Sequence, residues 1–210
     1  PPIFHINKQK AIDACTGDWI LQLDADEVVT KELKQEIIDK INQQPRPKDD
    51  QPLAETNGYW IPRKNLFLGK WLSKGGQYPD YSLRLYRRGK GRLPCRSVHE
   101  QAEIEGRVDY LKNPLIHYPY ADFREYWQHF NRYTDIFARE YKDSKLNISL
   151  ITFISYMFVK PIHWFLLTFI RHKGFVDGYA GFVFSFFSAL RFPVAFIKYS
   201  KKSDKRTIKQ

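Results

Sequence analysis

Cysteine and methionine are scarce in this chain: 210 residues hold two Cys and one Met. Cys15 and Cys95 are too few and too far apart for a disulfide framework or a zinc site, and they read as small buried residues of a reducing compartment. No signal-peptide pattern and no initiating Met opens the chain. Pro1-Pro2 leads directly into a helix-like segment, as though the sequence began partway through a domain. Internal repeats and nucleic-acid motifs are also missing.

Acid is missing from the last third. Residues 146–210 carry ten Lys and Arg against Asp177 and Asp204 alone, so +8 of the net +11 lies there. The same region holds the two strongly apolar runs, 148–170 and 175–199, and much of the aromatic excess. Basic charge interleaved with long apolar stretches suits an anionic membrane surface better than nucleic acid. Segment 148–170 is long enough to cross a bilayer, but Lys160, Pro161 and His163 at its centre argue for helices lying in the interface. A helical hairpin packed on the rest of the protein is the plainer alternative.

Upstream, Ala11, Ile12 and Cys15 stand at helical spacing over 7–16, and Gly17 offers a left-handed stop. Trp19 to Leu23 read as a short buried strand. Thr30 suits the N-cap of a helix over about 31–43, with Leu33, Ile37, Ile38 and Ile41 on its buried face. A Pro- and acid-rich loop covers 44–57. Strand-like pieces then lie in GYWIPRKNLFLG, YSLRLYRRG and RVDYLKNPLIHY, separated by the irregular stretches KWLSKGGQYPD and GRLPCRSVHEQ, and an aromatic polar helix is expected over about 121–143. This order indicates an α/β architecture.

The strongest chemical signal is Asp24-Ala25-Asp26-Glu27, where carboxylates emerge at the carboxyl end of a strand, the edge at which α/β sheets bind ligands. Two such carboxylates can hold Mg²⁺ or Mn²⁺ when a substrate diphosphate completes the oxygen shell. The bland alternative is a cluster that caps the following helix. A calcium loop would need a further acid, and a Gly where Val28 and Val29 stand. A haloacid dehalogenase-type phosphatase also places Asp-x-Asp after a strand, and Asp24, Asp26 and Val28 satisfy that pattern.

Lys8-Gln9-Lys10-Ala11, then Ala14 to Trp19 (Ala-Cys-Thr-Gly-Asp-Trp), then the strand ending in Asp-Ala-Asp-Glu resemble family-two glycosyltransferases of the GT-A fold. The bacterial lipopolysaccharide core β-glucosyltransferase-like branch is the most similar. Tyr81 to Arg88, Ser97-Val98-His99-Glu100 and Lys173 to Gly178 with Gly181 extend the resemblance over nearly the whole chain. Gln9 stands where Asn is commoner.

The resemblance implies the C-terminal part of a Rossmann-like nucleotide-sugar transferase domain, lacking its first βαβ portion, followed by membrane-associated helices. The expected divisions are 1–118 (partial catalytic domain), 119–145 (connecting aromatic helix) and 146–210 (basic membrane region). It further implies an inverting, divalent-metal-dependent transfer from a nucleotide sugar to a lipopolysaccharide-core, glycolipid or other envelope glycan, on the cytoplasmic face of the bacterial inner membrane. Asp24 and Asp26 would serve the metal, with Lys8, Asp24, Arg84 and Arg87 on the donor. Glu100 is the expected base and Asp80, after Gly75-Gly76, the second candidate. Arg88 could join the arginines on phosphate, and Trp60 and Trp71 could stack on sugar rings. His99 and His117 fall at no metal-ligand spacing. A non-catalytic membrane-bound interaction module is the other class the sequence leaves open.

Overall fold

The computed structural model describes residues 3–43, 56–95 and 101–207. Of the loop expected over 44–57, residues 44–55 lie outside the described residues, as does the Ser97–Glu100 motif, and Thr56 and Asn57 already belong to a strand. The chain divides into two compact units, one built from 1–64 and 79–117, the other from 65–78 and 118–210.

The first unit is α/β, as its order of elements implied. Helix α1 (Ile3–Asp13) precedes strand β1 (Trp19–Leu21), then β2 (Glu27–Val29) and helix α2 (Lys31–Asn42). Long strand β3 (Thr56–Phe67) follows. Beyond the segment 65–78 come β5 (Asp80–Arg87), a small hairpin of β6 (Gly91–Arg92) with β7 (Glu103–Ile104), then β8 (Arg107–Tyr110) and β9 (Leu115–His117). The sheet runs β1-β5-β3-β9-β2, mostly antiparallel, with β8 joining β3 in parallel. One face packs Leu33 and Ile37 of α2 against Tyr59, Ile61, Leu85, Leu111 and Leu115. The other gathers Ile12, Ile20, Leu83, Tyr86 and Leu93.

Several local expectations hold. Thr30 caps α2, its hydroxyl accepting from the Leu33 N–H at 3.1 Å. The acids of the turn therefore do not cap that helix. Others change. Helix α1 starts earlier and ends at Asp13, Gly17 lies outside the left-handed region, and Ala11 is exposed. Strand β1 stops at Leu21 and Leu23 turns outward, because the chain is already bending into the acidic turn. Ile38 is exposed, since a 12-residue helix resting on one sheet buries only a narrow stripe. Cys15 and Cys95 are half-buried free thiols rather than core residues.

Strand β5 carries the departure that matters most. Simple alternation puts Leu83 and Leu85 on one face and Arg84 and Tyr86 on the other. In the structure Tyr59 pairs with Leu85, and its neighbour Trp60 pairs with Leu83. Arg84 is thus an extra residue in a β-bulge. Leu83 consequently joins Tyr86 in one cluster while Leu85 enters the other.

In the second unit Leu66 and Phe67 at the end of β3 pair with β4 (Lys70–Trp71), and helix α3 (Phe123–Asp143) is capped by Asp122. A continuous helical stretch Leu150–Arg171 alternates α4 (Leu150–Ile154), a wide π turn, α5 (Lys160–Phe165) and a second π turn. The first π turn ends at Val159, two residues before Pro161, which has no N–H to donate and crowds the carbonyl four residues back. A short 3₁₀ turn (Gly174–Asp177) leads into α6 (Gly178–Thr207). Both Leu150–Arg171 and Gly174–Lys201 are long and apolar enough to cross a membrane by length and composition. Gly181 permits the tight reversal, since a Cβ there would lie 2.0 Å from the Gly174 carbonyl oxygen. Asp177 is buried and accepts from Ser73 Oγ at 2.7 Å and the Lys74 N–H at 2.8 Å.

Candidate functional site

The acidic turn closes on itself before it meets anything else. The Glu27 N–H donates to the Asp24 carbonyl at 3.1 Å, and the Asp24 N–H donates to Glu27 Oε2 at 3.0 Å. That fold-back draws the Glu27 side chain inward, where it has 0% exposure. A fully buried carboxylate needs paired charge. The bulge at Arg84 supplies it: one terminal guanidinium nitrogen lies 2.8 Å from Glu27 Oε1 and 2.6 Å from Asp24 Oδ2. Lys8, reaching from α1, binds the other Asp24 oxygen. Arg63 Nη1 approaches Glu27 Oε1 at 3.4 Å and grips Asp80 Oδ2 through Nε and Nη2 at 3.1 and 2.6 Å. The result is an alternating chain, Lys8–Asp24–Arg84–Glu27–Arg63–Asp80, with three cations and three anions.

Burial raises the pKa of the Asp24 carboxyl, but the Lys8 hydrogen bond and the Arg84 charge outweigh it and hold the group below the usual carboxylate value. Burial works against the Arg84 charge as well, and Glu27 and Asp24 more than restore it. Nearby, burial pushes the Tyr86 phenol up to about 12, so it stays a neutral hydroxyl facing Gln22 Oε1 at 3.4 Å.

Asp26 stands outside this network. Its side chain is 45% exposed at the tip of the turn, and Oδ2 lies 3.3 Å from His117 Nε2. The pair is made by β2 and β9, whose register sets Glu27 opposite His117. A carboxylate oxygen beside an imidazole nitrogen is a donor set suited to Mn²⁺ or a similar ion. Asp24, with an oxygen on each of two cations, is less suited. Among the described residues no group of three or more His, Cys, Asp or Glu is assembled for a metal.

Asp80 ends the ion-pair chain, and the other expected residues are dispersed. Asp80 opens β5 opposite Arg63. Arg87 lies over the Trp19 ring at 5.1 Å, across the β1–β5 ladder. Trp60 stacks on Tyr110, which meets Tyr81 edge-on, while Trp71 meets Tyr78 within the second unit. Glu100 lies outside the described residues. Sequence reasoning missed Arg63 and set His117 aside for want of a metal-ligand spacing. An arginine between Pro62 and Lys64 in a strand, and a histidine 91 positions beyond Asp26, carry no local pattern, and only the strand pairing brings them to the turn.

The site is thus a sheet edge with an acidic turn locked by cations and one outward carboxylate. The sequence profile of glycosyl transferase family 2 matches residues 4–101. The chain is also 26% identical over 193 residues to the lipopolysaccharide core biosynthesis glycosyltransferase LpsC of Rhizobium meliloti (strain 1021), covering 88% of this chain and 67% of that protein. No solved structure matches significantly.

Proposed function

We propose that the protein is an inverting glycosyltransferase that moves a sugar from a nucleotide-sugar donor to a lipopolysaccharide-core or related envelope glycan at the cytoplasmic face of the inner membrane. The family of residues 4–101 supports glycosyl transfer, and the likeness to LpsC supports the envelope acceptor. The observation that carries the site is the division of labour in the turn. Asp24 and Glu27 are committed to Lys8, Arg84 and Arg63, and Asp26 faces outward beside His117.

In this reading the ion-pair chain is the rigid floor of the donor site. It holds the turn without net charge, so that the outward groups set the affinity for a diphosphate. Asp26, with His117 beside it, would hold a divalent ion, which when bound supplies positive charge for the departing diphosphate. Lys8 and Arg84 act through that floor, and Arg87, half-buried over the Trp19 ring, is the cation proposed to meet the donor. Glu100 is proposed as the base that takes the acceptor hydroxyl proton, with Asp80 second; attack from the face opposite the leaving group inverts the anomeric carbon.

The test is nucleoside diphosphate release from a panel of nucleotide sugars, with Mn²⁺ or Mg²⁺ and with or without lipopolysaccharide-core acceptor. Acceptor-stimulated release that falls at least ~10²-fold in Asp26→Ala is the expected outcome. Absence of turnover with every donor, or hydrolysis of simple phosphate esters with no need of a sugar acceptor, would overturn it.

A further inference from the structure

The second unit leaves one long apolar face bare. Along Leu150–Arg171 the side chains of Ile151, Phe158, Ile162, Leu166 and Ile170 are all exposed, Ile151 to 81%. Between this stretch and α6 runs an apolar cleft of about 330 Å³, with Pro161 and Pro193 among its lining residues. A face of this length is costly in water and marks an interaction surface.

The opposite side of the same unit is committed to water. Helix α6 packs on α3 through much of its length. Phe187 meets the rings of Phe123, Tyr126 and Phe130, Lys198 reaches Asn131, Thr134 and Asp135, and Tyr199 donates to the Leu146 carbonyl. The outer face of α3 carries Arg124, Arg132, Arg139, Glu140, Lys142 and Asp143, all exposed. If α6 crossed a bilayer, it would draw those charges into hydrocarbon. The turn between the helices is likewise tied to polar chain, through Asp177 to Ser73 and Lys74.

We propose that this unit is a monotopic anchor whose two apolar helices lie in the plane of one anionic leaflet, the Leu150–Arg171 face and the cleft turned into the acyl chains, and that neither helix crosses. Charge complementarity names the occupant. From residue 148 to 201 the only acid is Asp177, and it is buried. The cations at mid-length sit on aromatic rings, Lys160 over Tyr156 at 3.4 Å and Arg191 over Trp164 at 4.4 Å, an arrangement that suits headgroup depth. The cleft gives an acyl chain apolar walls. The inference rests on the membrane location proposed above, and adds geometry to it.

The experiment uses the full chain with Cys15 and Cys95 replaced by alanine and single cysteines introduced as Asn147→Cys, just before the first helical stretch, or Arg171→Cys, its last residue, both exposed. A membrane-impermeant maleimide is added to inverted inner-membrane vesicles and to intact spheroplasts. The expected result is equal labelling of both sites in the inverted vesicles and none in spheroplasts. Labelling of one site from each side would overturn the in-plane geometry and leave the membrane location standing. A chain recovered wholly in the supernatant would overturn both. In a parallel arm Ile162→Glu with Leu166→Glu should lower binding to phosphatidylglycerol-containing vesicles at least ~10-fold; unchanged binding overturns the assigned face.

Discussion

Glu27 and Arg84 decide the chemistry of the turn at the scale of single residues. Arg84 is 8% exposed and serves two carboxylates through one terminal nitrogen. Arg84→Met leaves the buried Glu27 carboxylate with the Asp24 N–H and, as countercharge, the longer Arg63 contact, so urea denaturation should show a loss of ~3 kcal/mol. Arg84→Lys should not rescue it fully, because a strongly hydrated ammonium on a shorter stem replaces a guanidinium nitrogen set between the two carboxylates. Asp24 predicts a pH dependence with a definite sign. Its folded pKa is depressed, so its contribution to stability is complete above the ordinary value of 3.8 and is lost as pH falls through the lower folded value. The stability difference between the native chain and Asp24→Asn should therefore be largest at neutral pH and shrink below about pH 4.

Bulges, caps and close approaches act at the scale of elements. The bulge in β5 re-aims Arg84 at the turn and sends its two leucine neighbours to opposite faces. Period-two reading cannot anticipate it, because a bulge is set by pairing with β3 and not by residue type. The cap of α2 was legible, since Thr30 and the apolar stripe are local; Thr30→Ala should cost ~1 kcal/mol in a thermal or chemical melt. The reversal between the apolar helices is equally specific. Gly181→Ala drives a methyl into the Gly174 carbonyl and should destabilise the fold by ~1–3 kcal/mol, read as a lowered melting midpoint.

Charge is divided between the two units at the scale of the whole molecule. The ion-pair chain of the first unit nearly cancels itself, and the excess positive charge lies toward the C-terminus. Raising salt from ~0.1 M to ~1 M shortens the Debye length from about 10 to about 3 Å, so sedimentation with anionic vesicles should weaken without vanishing, the apolar face holding what the cations release.

What the sequence determined by itself is what short-range pattern encodes: an α/β order of elements, the acidic turn at a strand's end, the cap of α2, and a basic apolar C-terminal region. Each follows from neighbours within a few residues, where periodicity and turn chemistry operate. The tertiary structure decided which acid does what. Asp24 and Glu27 are drawn into ion pairs with Lys8, Arg63 and Arg84, up to 60 positions away, and Asp26 is left facing out beside His117. It also decided the orientation of the apolar helices, because only the packing of charged α3 on α6 separates a helix that lies on a leaflet from one of the same length that crosses it.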